Sequence, residues 1–219
     1  MASAEHPERR WPLKWLVWAA AAGVVLIVFP PFHVRPLRLG VAPAAIPGAV
    51  DVPRVAEKFW VDQLAGPSAK PVEVRTLLMA LGGNPQRAAE KYGHRSGIGG
   101  SAYFLVEGSG RVTSIDRGGV RLSVDGGSSL PLLLMTGPVF GSALRDATGL
   151  LDTADFNSFD FNALGAELNR LAETRAQPAL RTGVSVGSNI SFVAAGELDD
   201  ATGDRPVLKL VPIRVTVKP

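Results

Sequence analysis

The hydrophobic pattern of this chain changes character several times, and each change marks an element. The first is a run without charge. Trp15 to Phe29, WLVWAAAAGVVLIVF, is fifteen uncharged residues, and Pro30, Pro31 and Phe32 extend it to eighteen. At about 1.5 Å per residue, a helix of that length just crosses a hydrocarbon layer of about 30 Å when its ends adjust. A stretch rich in proline and glycine follows at residues 33–50 and has no helical period, so it reads as an extended tether. Its opening, Val34 to Leu39, alternates well enough to be a docked strand instead. Three helical signals come next. Asp51 caps Val52 to Leu64, with Val52, Val55 and Phe59 on one stripe. Val74, Leu77, Leu78 and Leu81 fall at i, i+3, i+4 and i+7 before Gly82-Gly83. Asn84-Pro85 caps and opens a third helix that ends at Tyr92-Gly93.

The period then shortens. Ala102 to Val106, Arg111 to Asp116, Val120 to Val124 and Leu130 to Met135 read as strands. Gly108-Ser109-Gly110, Gly118-Gly119 and Asp125-Gly126-Gly127 separate them as hairpin turns. Ser142 to Gly149 predicts one short helical turn. Phe161, Leu164, Leu168 and Leu171 predict an amphipathic helix capped near Asp160, with Pro178 beyond its end. Strands at Asn189 to Leu198 and Val207 to Val217 close the chain around the polar turn Asp199 to Asp204. The expected fold class is therefore α+β: a small OB-like β-barrel with N-terminal helices and an inserted amphipathic helix, preceded by one transmembrane helix. The corresponding segments are a short cytoplasmic tail at 1–14, a transmembrane signal-anchor at 15–32, the tether at 33–50 and an extracytoplasmic OB-like domain at 51–217.

Composition sharpens the address. Arg9, Arg10 and Lys14 precede the apolar run, Arg35 and Arg38 follow it, and Trp11, Trp15 and Trp18 cluster at its start. Indole rings suit the headgroup layer, and the basic tail favours an N-in orientation with the body outside. A cleaved signal peptide fits less well, because Pro30-Pro31-Phe32-His33 is no small-x-small site. A buried core helix explains neither flank. The Arg9-Arg10 pair is only a faint match to a twin-arginine export signal, since Pro12 replaces an apolar residue. The expected localisation is the bacterial inner membrane, single-pass, with the C-terminal domain in the periplasm. With Cys 0, the chain has no disulfide, no thiolate metal site, no cysteine nucleophile and no lipobox cysteine. A formal charge of +3 without a basic cluster is a poor nucleic-acid signal, and no nucleic-acid partner is expected.

Candidate chemistry is sparse. Of the three histidines, only His94 belongs to the body, so no zinc site and no metal or other cofactor is expected. The acidic turn Asp199 to Asp204 lacks an EF-hand pattern and reads as a solvated hairpin tip. A hydrolase would need His94 as base beside Ser96 or Ser101 with Asp146 as orienter, and no G-x-S-x-G is present. Gly97, Gly99 and Gly100 form a glycine loop whose amides can line an anion site with His94 and Arg95, or simply turn a corner. Arg145-Asp146 is either a ligand clamp or an ion pair that fixes a short helix.

Two blocks carry a family resemblance: Lys91 to Gly99 continuing through Tyr103-Phe104-Leu105-Val106 to Gly110, and Gly137-Pro138-Val139 with Gly141 to Ala147. With Phe156-Asn157, the Leu164–Asn169 helix and the closing Val207 to Ile213, they resemble the predicted periplasmic lipoproteins of domain of unknown function 2291 over roughly residues 50–217. The resemblance implies an exported, membrane-tethered OB-like domain linked to sugar ABC-transporter systems, and it supplies no catalytic residues. The missing lipobox cysteine is a departure, which the apolar run offsets as an anchor. The expected function is a non-enzymatic, membrane-anchored domain binding a transporter component, a solute-binding protein or a small polar ligand. The candidate surface comprises Tyr92, His94, Arg95, Gly97, Gly99, Tyr103, Arg145 and Asp146. The rival expectation is a lipid carrier or lipid hydrolase of the envelope, with His94 as base or an acyl chain inside the barrel.

Overall fold

The computed structural model describes residues 50–95, 101–124, 132–198 and 208–218. The apolar run at 15–32, the tether, the glycine loop with Gly97 and Gly99, and the Asp199–Asp204 turn lie outside the described residues. Residues 49–219 form one compact unit.

Helix α1 (Val52–Phe59) starts where the Asp51 carboxylate accepts the Arg54 amide, and a wide π turn (Trp60–Leu64) prolongs it. After the short β1 (Val72–Glu73) come α2 (Val74–Gly83) and α3 (Pro85–Tyr92). Asn84 separates these two helices, capping α3 through the Arg87 amide at 2.9 Å while Pro85 supplies the first turn. The two-residue β2 (His94–Arg95) leads into β3 (Ala102–Ile115), β4 (Gly119–Ser123) and β5 (Leu132–Met135). Between β5 and the final hairpin lie α4 (Ala143–Asp146) and α5 (Ser158–Leu171). A π turn (Ala172–Ala176) then joins α5 to α6 (Gln177–Thr182). Strands β6 (Asn189–Leu198) and β7 (Leu208–Lys218) complete the described elements.

The ladder runs β3-β4-β5-β7-β6 and returns to β3, because β3 also pairs antiparallel with β6 from Ala102↔Leu198 to Arg111↔Asn189. β5 and β7 pair in parallel, and the other neighbours in this ring are antiparallel. β1 and β2 attach to β3. Serving two partners requires one long strand. Gly108 and Gly110, expected to form a turn, therefore lie inside β3 rather than between two strands. A side chain at Gly108 would collide with Val74, and one at Gly110 with the Ser123 carbonyl. Glycine here permits close approach within a strand.

Both faces of the ring are covered, so Ala102 to Val106 is buried at five consecutive positions. Ala102, Phe104 and Val106 join Leu134, Ile190 and Leu210 inside, with α2 and α3 packed on that core. Tyr103 and Leu105 face α1, α4 and α5, meeting Trp60, Leu144, Leu164 and Leu168. The inward positions are occupied by packed side chains, among them fully buried Phe104, Leu134 and Ile190. A second correction concerns the long helix. Asn157, not Asp160, caps it, accepting the Asp160 amide at 2.9 Å. Pro178 lies beyond the end of α5 at Leu171, and the π turn carries the helical backbone on so that proline falls in the first turn of α6. Among the described residues no helix is long and apolar enough to cross a membrane.

Candidate functional site

The site is assembled where α3 ends. Gly93 is the residue that lets the chain leave the helix, because a Cβ there would press on the Ala89 carbonyl and the Phe104 ring. The chain then extends as β2, with His94 opposite Tyr103 and Arg95 opposite Ala102. The His94 imidazole lies against the backbone of Gly149, where any side chain would collide with the ring. Gly149 has φ +64°, and its amide donates to the Asp146 carbonyl at 3.1 Å, closing the turn after α4. Glycine is thus required twice over, for the left-handed backbone and for the imidazole lying on it. Two segments more than fifty residues apart in sequence are joined at this contact.

His94 borders two clefts. The larger, about 630 Å³, is lined by Lys70, Lys91, Tyr92 and His94 together with Gln63 and Thr148. Buried Leu105 and Ala147 contribute apolar floor. The Lys91 ammonium sits 4.9 Å from the centroid of the Tyr92 ring. The smaller cleft, about 220 Å³, is lined by His94, Arg95, Asp146, Asp152, Thr153 and Phe161 among others. The structure thus brings Tyr92, His94, Arg95 and Asp146 to one region.

Arg145 and Tyr103 are engaged elsewhere. The Arg145 guanidinium grips Asp146 with Nε–Oδ1 at 2.8 Å and Nη2–Oδ2 at 3.0 Å, and lies 3.9 Å over the Phe161 ring. Its Nη1 also donates to the Phe161 carbonyl at 3.4 Å. The two side chains are only 11% and 7% exposed, and the contacts of Arg145 with Phe161 tie α4 to α5. Both Asp146 carboxylate oxygens are committed to Arg145, and His94 makes no side-chain hydrogen bond among the described residues. Among the described residues no carboxylate is hydrogen-bonded to the imidazole. The Tyr103 phenol is buried against α4 and accepts a hydrogen bond from Ser142 Oγ at 3.2 Å. Burial pushes its pKa up, helped by the Glu197 and Asp146 charges and opposed by the Ser142 bond.

The cleft residues that escaped the sequence reading include Lys70, Lys91 and Thr148. The lysines sit in ordinary helical and loop surroundings, and only the fold brings them to the cleft that His94 lines. A second unforeseen feature is a ladder of side chains along α5 and α6. Asn169 donates to the Gly141 carbonyl at 3.0 Å, and Glu173 accepts the Val139 amide at 2.7 Å. Gln177 donates to the Gly137 carbonyl at 2.8 Å, and Arg181 to the Thr136 carbonyl at 2.7 Å. The four residues recur every four positions, so they share one helical face and hold the loop after β5 along it. That spacing was the available signal. The ladder leaves Phe140 82% exposed beside a cleft of about 500 Å³. Among the described residues no group of three or more His, Cys, Asp or Glu side chains is placed to hold a metal ion.

The ring order, the parallel β5–β7 pair and the helix before β6 define a mixed α+β protein of OB-fold type with a cleft beside its first long strand. A solved OB-fold protein from Thermotoga maritima is similar at 24% identity and TM-score 0.68, over 78% of this chain and 99% of its own, which shows the fold. Comparison with curated proteins finds no match. The family model of the predicted periplasmic lipoproteins (DUF2291) matches residues 22–216, and the chain belongs to that family.

Proposed function

We propose that this protein is a non-enzymatic binding domain of the bacterial envelope. Residues 15–32 anchor it in the inner membrane, and it holds a small polar ligand on the periplasmic side of a closed OB barrel. The ligand or the domain itself serves a transport system, through an ABC-transporter component or its solute-binding protein. One observation carries the reading. Segments around Lys70, Lys91–His94 and Thr148 converge on a cleft of about 630 Å³, a size suited to a small molecule. Its histidine ring lies against Gly149 and makes no side-chain hydrogen bond among the described residues. Family membership supports the periplasmic setting.

The test is non-denaturing mass spectrometry of the full chain purified in mild detergent from its own membrane. A stoichiometric small-molecule adduct, lost in His94→Ala and kept in Phe140→Ser, is expected. An adduct that survives His94→Ala, or binding that depends on Phe140 instead, overturns the assignment of the site.

A further inference from the structure

We infer that the ligand of the Tyr92–His94 cleft is an oxyanion, a phosphate or carboxylate group on a small carbon body. This inference rests on the cleft being a ligand site. Charge is the first observation. Two cations, Lys70 and Lys91, line the cleft, and none of the described residues lining it is acidic. Elsewhere in the body, cations that do meet a carboxylate are held by it. Lys58, Arg121, Arg145, Arg170 and Arg175 each face a carboxylate within 4.0 Å, at Asp62, Asp116, Asp146, Glu167 and Glu57. Among the described residues neither Lys70 nor Lys91 is in an ion pair. Lys91 is instead held over the Tyr92 ring, which leaves its ammonium hydrogens for an acceptor.

Shape and polarity agree with the charge. The His94 imidazole adds an N–H donor, and Gln63 and Thr148 add neutral polar groups. Leu105 and Ala147, both buried, and half-buried Val72 offer apolar surface for the carbon body. A ligand with a charged end and an uncharged body meets both halves of this lining, whereas a cation meets two ammonium groups and no counter-charge. Binding of such an anion is electrostatic in part and weakens as salt is added.

The experiment is isothermal titration calorimetry on the full chain in mild detergent. The probes are glucose 6-phosphate, galacturonate, glucose, inorganic phosphate and dihexanoylphosphatidylglycerol. Glucose 6-phosphate or galacturonate is expected to bind at least about tenfold more tightly than glucose. Lys70→Gln and Lys91→Gln are expected to weaken that binding about tenfold each, the loss of one charge-assisted hydrogen bond. Lysine-dependent binding of dihexanoylphosphatidylglycerol in preference to the sugars also supports the inference and assigns the phosphate to a lipid headgroup. Glucose binding as tightly as its charged relatives, with His94→Ala weakening it and the lysine variants not, overturns the anion while the cleft stands. Binding of no probe overturns the anion, and the adduct experiment above then judges the cleft separately.

Discussion

Breaking the Arg145–Asp146 pair should cost this protein a large part of its stability. Both side chains are nearly buried, at 11% and 7% exposure, and their two contacts of 2.8 and 3.0 Å form a fork. Removing one partner of a buried pair leaves an uncompensated charge and costs about 3–5 kcal/mol. Against a total of about 5–15 kcal/mol for a domain, that is a substantial share. Arg145→Met loses the fork and the stacking on Phe161, while Asp146→Ala strands the guanidinium between α4 and α5. The double variant Arg145→Met/Asp146→Ala strands no charge and should lie within about 2 kcal/mol of the parent. Urea denaturation of the four proteins, followed by far-ultraviolet circular dichroism, closes the cycle. The single losses then sum to far more than the double loss. A cost below about 1 kcal/mol for Asp146→Ala, the range of an exposed pair, would refute the claim that burial sets the value. If Arg145→Met kept full stability yet abolished ligand binding, the guanidinium would be a clamp rather than a brace.

Other expectations follow from the same geometry. Gly149→Ala forces a side chain into left-handed backbone and against His94, so it should cost at least about 1–2 kcal/mol and shift the His94 ring resonances in an NMR spectrum. Gln177→Leu removes a fully buried side chain that partners the half-buried Gly137 carbonyl, and a loss of about 1 kcal/mol in denaturant titration is expected. Asp116 accepts the Gly118 and Gly119 amides and faces Arg121, and these interactions hold its pKa below the ordinary aspartate value despite an opposing desolvation. Since the folded pKa is depressed, its stabilisation is present above about 3.9 and is lost as pH falls through the lowered value. A carboxyl ¹³C titration should show this, and Asp116→Asn should remove the acid-side change at Gly118.

Much of the architecture was legible because it depends on local chemistry. The Asn84-Pro85 cap gave α3 its start, and the i, i+3, i+4, i+7 stripe at Val74 to Leu81 marked α2. What misled was glycine, whose meaning is set by distant neighbours. Gly108 and Gly110 read as a turn because Val74 and the Ser123 carbonyl, which demand their smallness, approach only in the folded ring. The continuation of α5 into α6 went unseen because a π turn does not show in a 3.6-residue period. For the site, residue type drew attention to His94 and Tyr92, and the fold joined them to the turn after α4. The same criterion picked Tyr103 and Arg145, whose polar ends are turned to Ser142 and Asp146. Lys70 and Lys91 were missed because a lone lysine carries no signal until the absence of nearby carboxylates is visible.

The most direct measurement is the amide chemical-shift map of the isotopically labelled protein titrated with glucose 6-phosphate. Shifts concentrated at Lys91, His94, Thr148 and Gly149, with Asn162 to Glu173 unmoved, are the predicted result. Shifts confined to the Phe140 side of α5, leaving the His94 turn untouched, would contradict it.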